Sequence, residues 1–386
     1  MTVNEIRPEM SDVKTLVLKV GSGVLVRDGV HLDRGTFCRL VEQITHLMEA
    51  GIQVALVSSG AVALGRGRMG VERPDRQSLP KLQALAAIGQ TALMQLYDSE
   101  FAHYQRRCGQ VLLTRDDLDD RTRYHNARRT LRAIWGLGAL PIINENDTIS
   151  TDEIRFGDND HLAARVACLL EADLLVILSD VEGVFTADPS LNPDAKRIER
   201  VIASDQSLDG FVSDTKDQLE GVGTGGMVTK IGAARIAALR GIPTVIMSGK
   251  LPERLPELMT GASVGTYLVP ASTRQSSRRS WVQSLKVRGR LHCDEGAAEA
   301  LKRRGKSLLP SGLVEIEGRF DEGEAVEICT IEGTAFAKGL ATYPAAALRR
   351  IKGVQSNQIG TILGYHTSDV VVHRDDMVFF SNGDGE

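Results

Sequence analysis

Short apolar runs alternate along the chain with longer stretches in which apolar residues recur every three or four positions. Thr15–Val20 (TLVLKV) is β-branched and apolar apart from Lys19, the pattern of a strand covered on both faces. After the turn Gly21–Gly23, Phe37, Leu40, Val41, Ile44, Leu47 and Met48 repeat at helical spacing, and Gly51 is placed to end that helix. Val54–Val57, Val111–Leu113, Pro141–Ile143, Leu174–Leu178 and Thr244–Met247 predict further buried strands. Helical patterns over Lys81–Tyr104, Asn126–Leu137, His161–Leu170 and Val228–Arg240 lie between most of them. This alternation predicts an α/β fold, a mainly parallel sheet sandwiched by helices.

The pattern changes after Pro270. Residues 271–280 (ASTRQSSRRS) are polar and aperiodic, which predicts a linker between a domain at 1–270 and a second at 281–386. The second stretch is mainly strand-like: Gly289–His292, Leu313–Glu317, Ala325–Cys329, Ala335–Gly339 and Val370–His373, with helical patterns at Ala297–Arg304 and Pro344–Ile351. A smaller, mainly β module follows from that. Neither an internal repeat nor a low-complexity tract is visible.

Composition narrows the function. The chain has 386 residues, 42% hydrophobic and 25% charged, enough to build two or three cored domains. Lys plus Arg number 46 against 50 Asp plus Glu, a net charge of −4, and residues 281–386 hold 13 basic and 15 acidic residues. The basic excess that marks a nucleic-acid binder is missing from both parts. Cys38, Cys108, Cys168, Cys293 and Cys329 are scattered and form no CxxC pair, which argues against disulfides and a zinc site. The first residues lack the basic start and apolar stretch of a signal peptide, and no apolar run is long enough to span a bilayer. A soluble protein of a reducing compartment, the cytoplasm, is expected.

The candidate chemistry sits at the C-terminal ends of the predicted strands, where open α/β sheets bind ligands. Lys19-Val-Gly-Ser22-Gly23 places a lysine beside a glycine turn, suited to a phosphate. Ser58-Ser59-Gly60-Ala61 offers hydroxyls and N–H groups suited to an anion, although taken alone a simple helix N-cap explains it better. Asn144-Glu145-Asn146-Asp147 and Gly157-Asp158-Asn159-Asp160 crowd carboxylates and carboxamides around a loop, where they suit an ammonium group or the positioning of lysines. Ser179-Asp180, Thr186-Ala-Asp188-Pro189 and the glycine-dense Gly223-Thr224-Gly225-Gly226-Met227-Val228-Thr229-Lys230 complete the set. The last opens a helix that carries a second lysine.

Other chemistries lack their residues. Gly65-Arg-Gly67-Arg-Met-Gly70 and Gly221-Val-Gly223-Thr-Gly225-Gly226 fit a dinucleotide fingerprint in letters, but neither directly follows a strand. GxxxxGK[ST], HExxH and GxSxG are all missing. Two lysines, several acidic groups and glycine loops, without an obvious base, suit phosphoryl transfer to an acceptor already ionised at neutral pH.

Taken together and in order, these motifs resemble the glutamate 5-kinase (γ-glutamyl kinase) family of amino-acid kinases. Asp294-Glu295-Gly296-Ala297, Ser307-Leu-Leu-Pro310, Gly318-Arg319-Phe320 and His373-Arg374-Asp375-Asp376 resemble the PUA domain appended to its members. The resemblance implies an amino-acid-kinase fold with a PUA-like tail, and transfer from ATP, with Mg²⁺, to L-glutamate at the start of proline synthesis. By position, Lys19 and Lys230 would neutralise the transferring phosphoryl group and Asp160 would hold both. Ser59, Asp147 and Asn159 would bind glutamate, with Asp158 nearby. Lys19, Ser179, Asp180 and the run Thr224, Gly225, Gly226, Met227, Val228, Thr229 and Lys230 would bind ATP. No metal site built from protein ligands is implied. Inhibition by L-proline, a homo-oligomer and a functional link to glutamyl-phosphate reductase are further implications, while membrane and nucleic-acid partners are not expected. Gly23 departs from the Ser or Thr common in the family. Two alternatives stand beside this reading: another amino-acid kinase with a related acceptor, and an RNA-binding protein of the PUA class, for which Lys302-Arg303-Arg304-Gly305-Lys306 is a local basic cluster.

Overall fold

The computed structural model describes residues 12–71, 78–149, 159–213, 226–271 and 274–380. They divide into two compact units, Met1–Ala271 and Ser272–Glu386. The first contains β1 (Thr15–Val20), α1 (Arg34–Glu49), β2 (Gln53–Ser58), α2 (Ala61–Met69), α3 (Leu79–His103), β3 (Cys108–Leu113), α4 (Arg121–Gly136), β4 (Leu140–Glu145) and α5 (Asn159–Leu170). It continues through β5 (Leu174–Ser179), β6 (Arg200–Ile202), α6 (Met227–Ala238), β7 (Thr244–Ser248) and β8 (Thr266–Val269). The eight strands form one sheet in the order β3-β4-β2-β1-β5-β7-β8-β6. Every pairing is parallel except β7 with β8.

Alternate residues of a strand point to opposite faces, and both faces of this sheet are covered. Leu16, Leu18, Leu56 and Val176 pack with Phe37 and Ile44 of α1 and with Leu93 and Tyr97 of α3. Val17, Val57, Leu175 and Ile177 pack on the other side with Leu131 of α4, Val166 of α5 and Ala233 of α6. The Val, Leu, Ile and Phe side chains among these, fully buried, contribute about 1.5–3 kcal/mol each. The helix ends follow local rules: Asp33 accepts the Thr36 N–H at 3.2 Å to cap α1, and Gly51 follows that helix at φ +86°. Trp135 of α4 donates from Nε1 to the Val54 carbonyl at 2.8 Å and fastens that helix to β2.

Helices α2 and α3 meet without intervening side chains. A Cβ on Gly65 would lie 1.9 Å from the Leu85 carbonyl oxygen, and one on Gly89 would lie 1.7 Å from that of Ala61. A Cβ on Gly67 would lie 2.5 Å from the Val30 carbonyl oxygen. Gly65 and Gly67, which matched a nucleotide fingerprint in letters, serve close backbone approach instead.

The second unit holds α7 (Arg274–Ser284), β9 (Gly289–Cys293), α8 (Glu295–Arg304), β10 (Leu313–Gly318), β11 (Ala325–Cys329), β12 (Ala335–Leu340), α9 (Ala345–Ile351) and β13 (Met377–Phe379). Its five-stranded sheet runs β10-β9-β11-β12-β13. Two sequence expectations need correction. Residues 271–280, expected as an aperiodic linker, are helical from Arg274, because tertiary partners supply what periodicity does not. Arg278 pairs with Asp376 (Nε to Oδ1, 2.6 Å), and Lys338 Nζ donates to the Gln283 carbonyl at 2.8 Å and to that of Leu285, near the helix C-terminus where a cation is favoured. Val370–His373, expected as a strand, contributes a single bridge, Val372 to Leu308, and Met377–Phe379 takes the sheet position beside β12. Among the described residues, no helix is long and apolar enough to cross a membrane, and all five cysteines are free thiols.

Candidate active site

Parallel register brings the C-terminal ends of the central strands level. Val20 lies opposite Ser58 and Leu178, Val57 opposite Ile143, and Ser179 opposite Ser248. Lys19, Ser59, Asn144, Glu145, Ser179 and the start of α5 therefore share one edge of the sheet.

Asn159 and Asp160 open α5, and their consecutive side chains organise two separate clusters. Asp160 is 1% exposed and lies between two cations, Lys19 Nζ at 2.5 Å from Oδ1 and Lys230 Nζ at 3.3 Å from Oδ2. Thr229 Oγ1 is 2.9 Å from Asp160 Oδ2 and 2.8 Å from the Gly226 carbonyl. Burial alone would raise the Asp160 carboxyl, but the charges of Lys19 and Lys230, with hydrogen bonds from Lys19 and Thr229, hold it below the usual carboxylate range. Lys19 comes from β1 and Lys230 from the first turns of α6, whose N-cap is Gly226. Two lysines held by one carboxylate beside a helix N-terminus form a site with net positive charge, suited to phosphates.

Asn159 builds the second cluster. Its Nδ2 lies 3.0 Å from Ser59 Oγ, 2.9 Å from Asn144 Oδ1 and 3.1 Å from the Ser58 carbonyl. Asn144 Nδ2 donates in turn to Gln90 Oε1 at 2.7 Å, and Ser58 Oγ is 2.9 Å from the Tyr97 hydroxyl. Ser59 is followed by Gly60 at φ +105°, the left-handed N-cap of α2, a conformation that favours glycine. Asp147 lies just past β4, and its carboxyl is pushed up to about 7, mainly by burial and secondly by the charge of Glu145.

At the end of β5, Ser179 donates to Asp180 Oδ1 at 2.9 Å. Gly226, Met227, Val228 and Thr229 form the cap and first turn of α6. A Cβ on Gly23 would lie 3.7 Å from Asp180 Oδ2, an ordinary van der Waals contact, so close packing does not force a glycine there. The structure thus joins Lys19, Asp160, Thr229 and Lys230, and separately Ser59 and Asn159. Asp158, Thr224 and Gly225 lie outside the described residues. Gln90 carries no motif, and its one sequence signal is a polar residue beside glycine within the apolar pattern of α3.

Residues 14–248 match the amino acid kinase family and residues 289–363 the PUA domain. The glutamate 5-kinase of Syntrophotalea carbinolica is 47% identical over 375 residues, covering 96% of this chain and 98% of its own. That of Pelobacter propionicus is 45% identical over 367 residues, covering 95% of this chain and 97% of its own. The structure of carbamate kinase from Giardia lamblia bound to AMP-PNP is 16% identical with a TM-score of 0.48, covering 67% of this chain and 99% of its own. The chain belongs to the amino acid kinase family, in its glutamate 5-kinase branch, and carries a PUA domain after the kinase unit.

Proposed function

We propose that this chain transfers the γ-phosphoryl group of ATP to the γ-carboxylate of L-glutamate, giving ADP and L-glutamyl 5-phosphate, the opening step of proline synthesis. The observation that carries this reading is the Asn159–Asp160 pair, which joins a carboxamide cluster suited to an amino-acid acceptor to a two-lysine cluster suited to phosphate. The acceptor carboxylate is ionised at neutral pH, so the attack requires no proton removal. Catalysis then rests on alignment and on cancelling the charge that builds on the transferring oxygens. Lys19 and Lys230 supply that cancellation, while Asp160 fixes both ammonium groups before substrate arrives and takes no part in bond making.

Ser59 accepts from Asn159, which leaves its O–H to donate to a substrate carboxylate. Asp147 in its ionised form faces the substrate ammonium, and the same reading assigns Asp158 to glutamate binding. Asn159 offers the ammonium a carbonyl oxygen. On the nucleotide side, Ser179, Asp180 and the run Thr224, Gly225, Gly226, Met227, Val228 and Thr229 cradle ATP. Mg²⁺ would arrive on the nucleotide and add charge to the same phosphates. No group of three His, Cys, Asp or Glu side chains among the described residues is placed to hold the ion by protein ligands alone, and the Asp160 carboxylate is already shared by two lysines.

L-Proline shares the α-carboxylate and amino nitrogen of glutamate but lacks the γ-carboxylate. It would occupy the α-end of the acceptor site around Asp147, Ser59 and Asn159 without being phosphorylated. A homo-oligomer, a cytoplasmic location and delivery of the labile acyl phosphate to glutamyl-phosphate reductase belong to the same reading. The test is ATP-dependent hydroxamate formation from glutamate and hydroxylamine, run against carbamate and other acceptors. Turnover of another acceptor but not of glutamate would overturn the substrate assignment. Initial rates over a glutamate–proline grid test the shared site, and proline that lowers Vmax without changing the apparent glutamate KM would refute it.

A further inference from the structure

The carboxamide cluster has a direction, and two backbone groups impose it. The Glu145 N–H donates to Asn144 Oδ1 at 2.9 Å, and the Ser58 carbonyl accepts from Asn159 Nδ2 at 3.1 Å. A peptide N–H can only donate and a carbonyl can only accept. Asn144 must therefore turn its NH₂ toward α3, and Asn159 must turn its oxygen out of the network. Gln90 meets the Asn144 NH₂ with Oε1 at 2.7 Å. The chain of amides runs Gln90, Asn144, Asn159, and its two ends are left over. Gln90 Nε2 and Asn159 Oδ1 are both buried, and neither has a hydrogen-bond partner among the described residues.

A buried acceptor without a partner is costly unless something arrives to use it. Asn159 is 3% exposed and stands one residue before the carboxylate that holds both lysines, and on the glutamate-kinase reading its free oxygen is the group offered to the substrate ammonium. Gln90 reaches Asn144 because Gly89, beside it in sequence, lets the backbones of α3 and α2 touch.

We propose that Gln90 is a positioning residue of the acceptor site, holding Asn144 so that Asn159 presents a carbonyl oxygen to the amino group of the substrate. This rests on the glutamate-kinase reading above. It assigns Gln90 a part in discriminating amino acids from dicarboxylates without an amino group. Glutarate, which is glutamate without that group, is the matched probe.

The experiment compares kcat/KM for glutamate and glutarate in wild type, Gln90→Met and Gln90→Glu, each checked by circular dichroism. Met keeps the length of Gln but gives Asn144 no acceptor, whereas Glu keeps an oxygen facing it. In Gln90→Met the glutamate-over-glutarate ratio should fall about tenfold, the scale of one hydrogen bond to a charged group. The loss should appear in the glutamate KM with the ATP KM unchanged, and Gln90→Glu should retain most of the ratio. A folded Gln90→Met with the wild-type ratio overturns the inference, and so does an equal fall in both variants. If Gln90→Met does not fold, Gln90→Leu is read by the same ratio with the same two outcomes. Wild type that makes no hydroxamate from glutamate would instead overturn the kinase reading, so the two failures are distinct.

Discussion

Replacing Asp160 by Asn leaves the shape of the site almost unchanged and removes the buried negative charge that Lys19 and Lys230 share. Both lysines are nearly inaccessible, at 3% and 5% exposed, and both ammonium groups lie within 3.3 Å of the carboxylate. Removing one partner of a buried ion pair costs about 3–5 kcal/mol, because the remaining charge loses its counter-ion without regaining water. In a unit of this size that corresponds to a melting midpoint lower by roughly 5–9 °C. The folded carboxyl lies below its unfolded value, so its contribution is complete above the unfolded pKa and is lost as pH falls through the folded one. The gap between wild type and variant should therefore be constant from about pH 6 to 8 and close only in acid. Nucleotide supplies the decisive comparison, because its phosphates would give the two lysines the negative charge that the variant lacks. ATP should raise the midpoint of Asp160→Asn by more than it raises that of wild type, while kcat stays low because the lysines are no longer fixed. The assay is a thermal scan with and without ATP, followed by circular dichroism and by the fluorescence of Trp135. A variant that melts within about 2 °C of wild type and gains no more from ATP would refute the idea that one carboxylate holds both cations.

Lys19→Met and Lys230→Met should each reduce kcat far more than they raise the glutamate KM, since their charge counts most in the transition state; steady-state kinetics showing a loss confined to KM would reject that role. In wild type the glutamate KM should fall as pH rises through about 7, where Asp147 ionises, and in Asp147→Asn it should be high and nearly flat between pH 6 and 8. A wild-type slope retained in the variant would place the titrating group elsewhere. Gly89→Ala should destabilise the kinase unit by roughly 3 kcal/mol or more, because its Cβ would fall 1.7 Å from the Ala61 carbonyl oxygen. An unchanged denaturation midpoint would mean that the two helices separate at no cost.

What the sequence made visible depended on whether the signal was local. Thr15–Val20 and Leu174–Ser179 are continuous apolar runs because both faces of the strand are covered, so they stand out without knowledge of their neighbours. Arg200–Ile202 and Thr266–Val269 are three- and four-residue strands at or next to the sheet edge, too short for a periodic signal, and were not expected. The helix at Arg274–Ser284 escaped for a related reason, since it owes its order to Asp376 and Lys338, both remote in sequence. In the site, Lys19, Asp160 and Lys230 were legible as charged residues beside glycine turns. That one carboxylate serves both lysines was implied by family resemblance alone and needed the distances. Gln90 and the polarity of its amide chain were not legible, because they depend on which backbone groups the fold brings to Asn144 and Asn159.

The bare crossing of α2 and α3 limits how this enzyme can be re-engineered. Most packed helices are separated by a layer of side chains that can be exchanged in compensating pairs, and a binding wall carried on such a helix can be moved in small steps. Here the wall that carries Gln90 rests on peptide groups at Gly65 and Gly89. Any single replacement at either glycine adds a Cβ where a carbonyl already stands, and no neighbouring side chain can be trimmed to make room. Directed evolution of a new acceptor should therefore find few viable variants along this contact. Libraries placed instead around Asn146 and Asp147, beyond the end of β4, leave the crossing intact and offer the wider range of tolerated change.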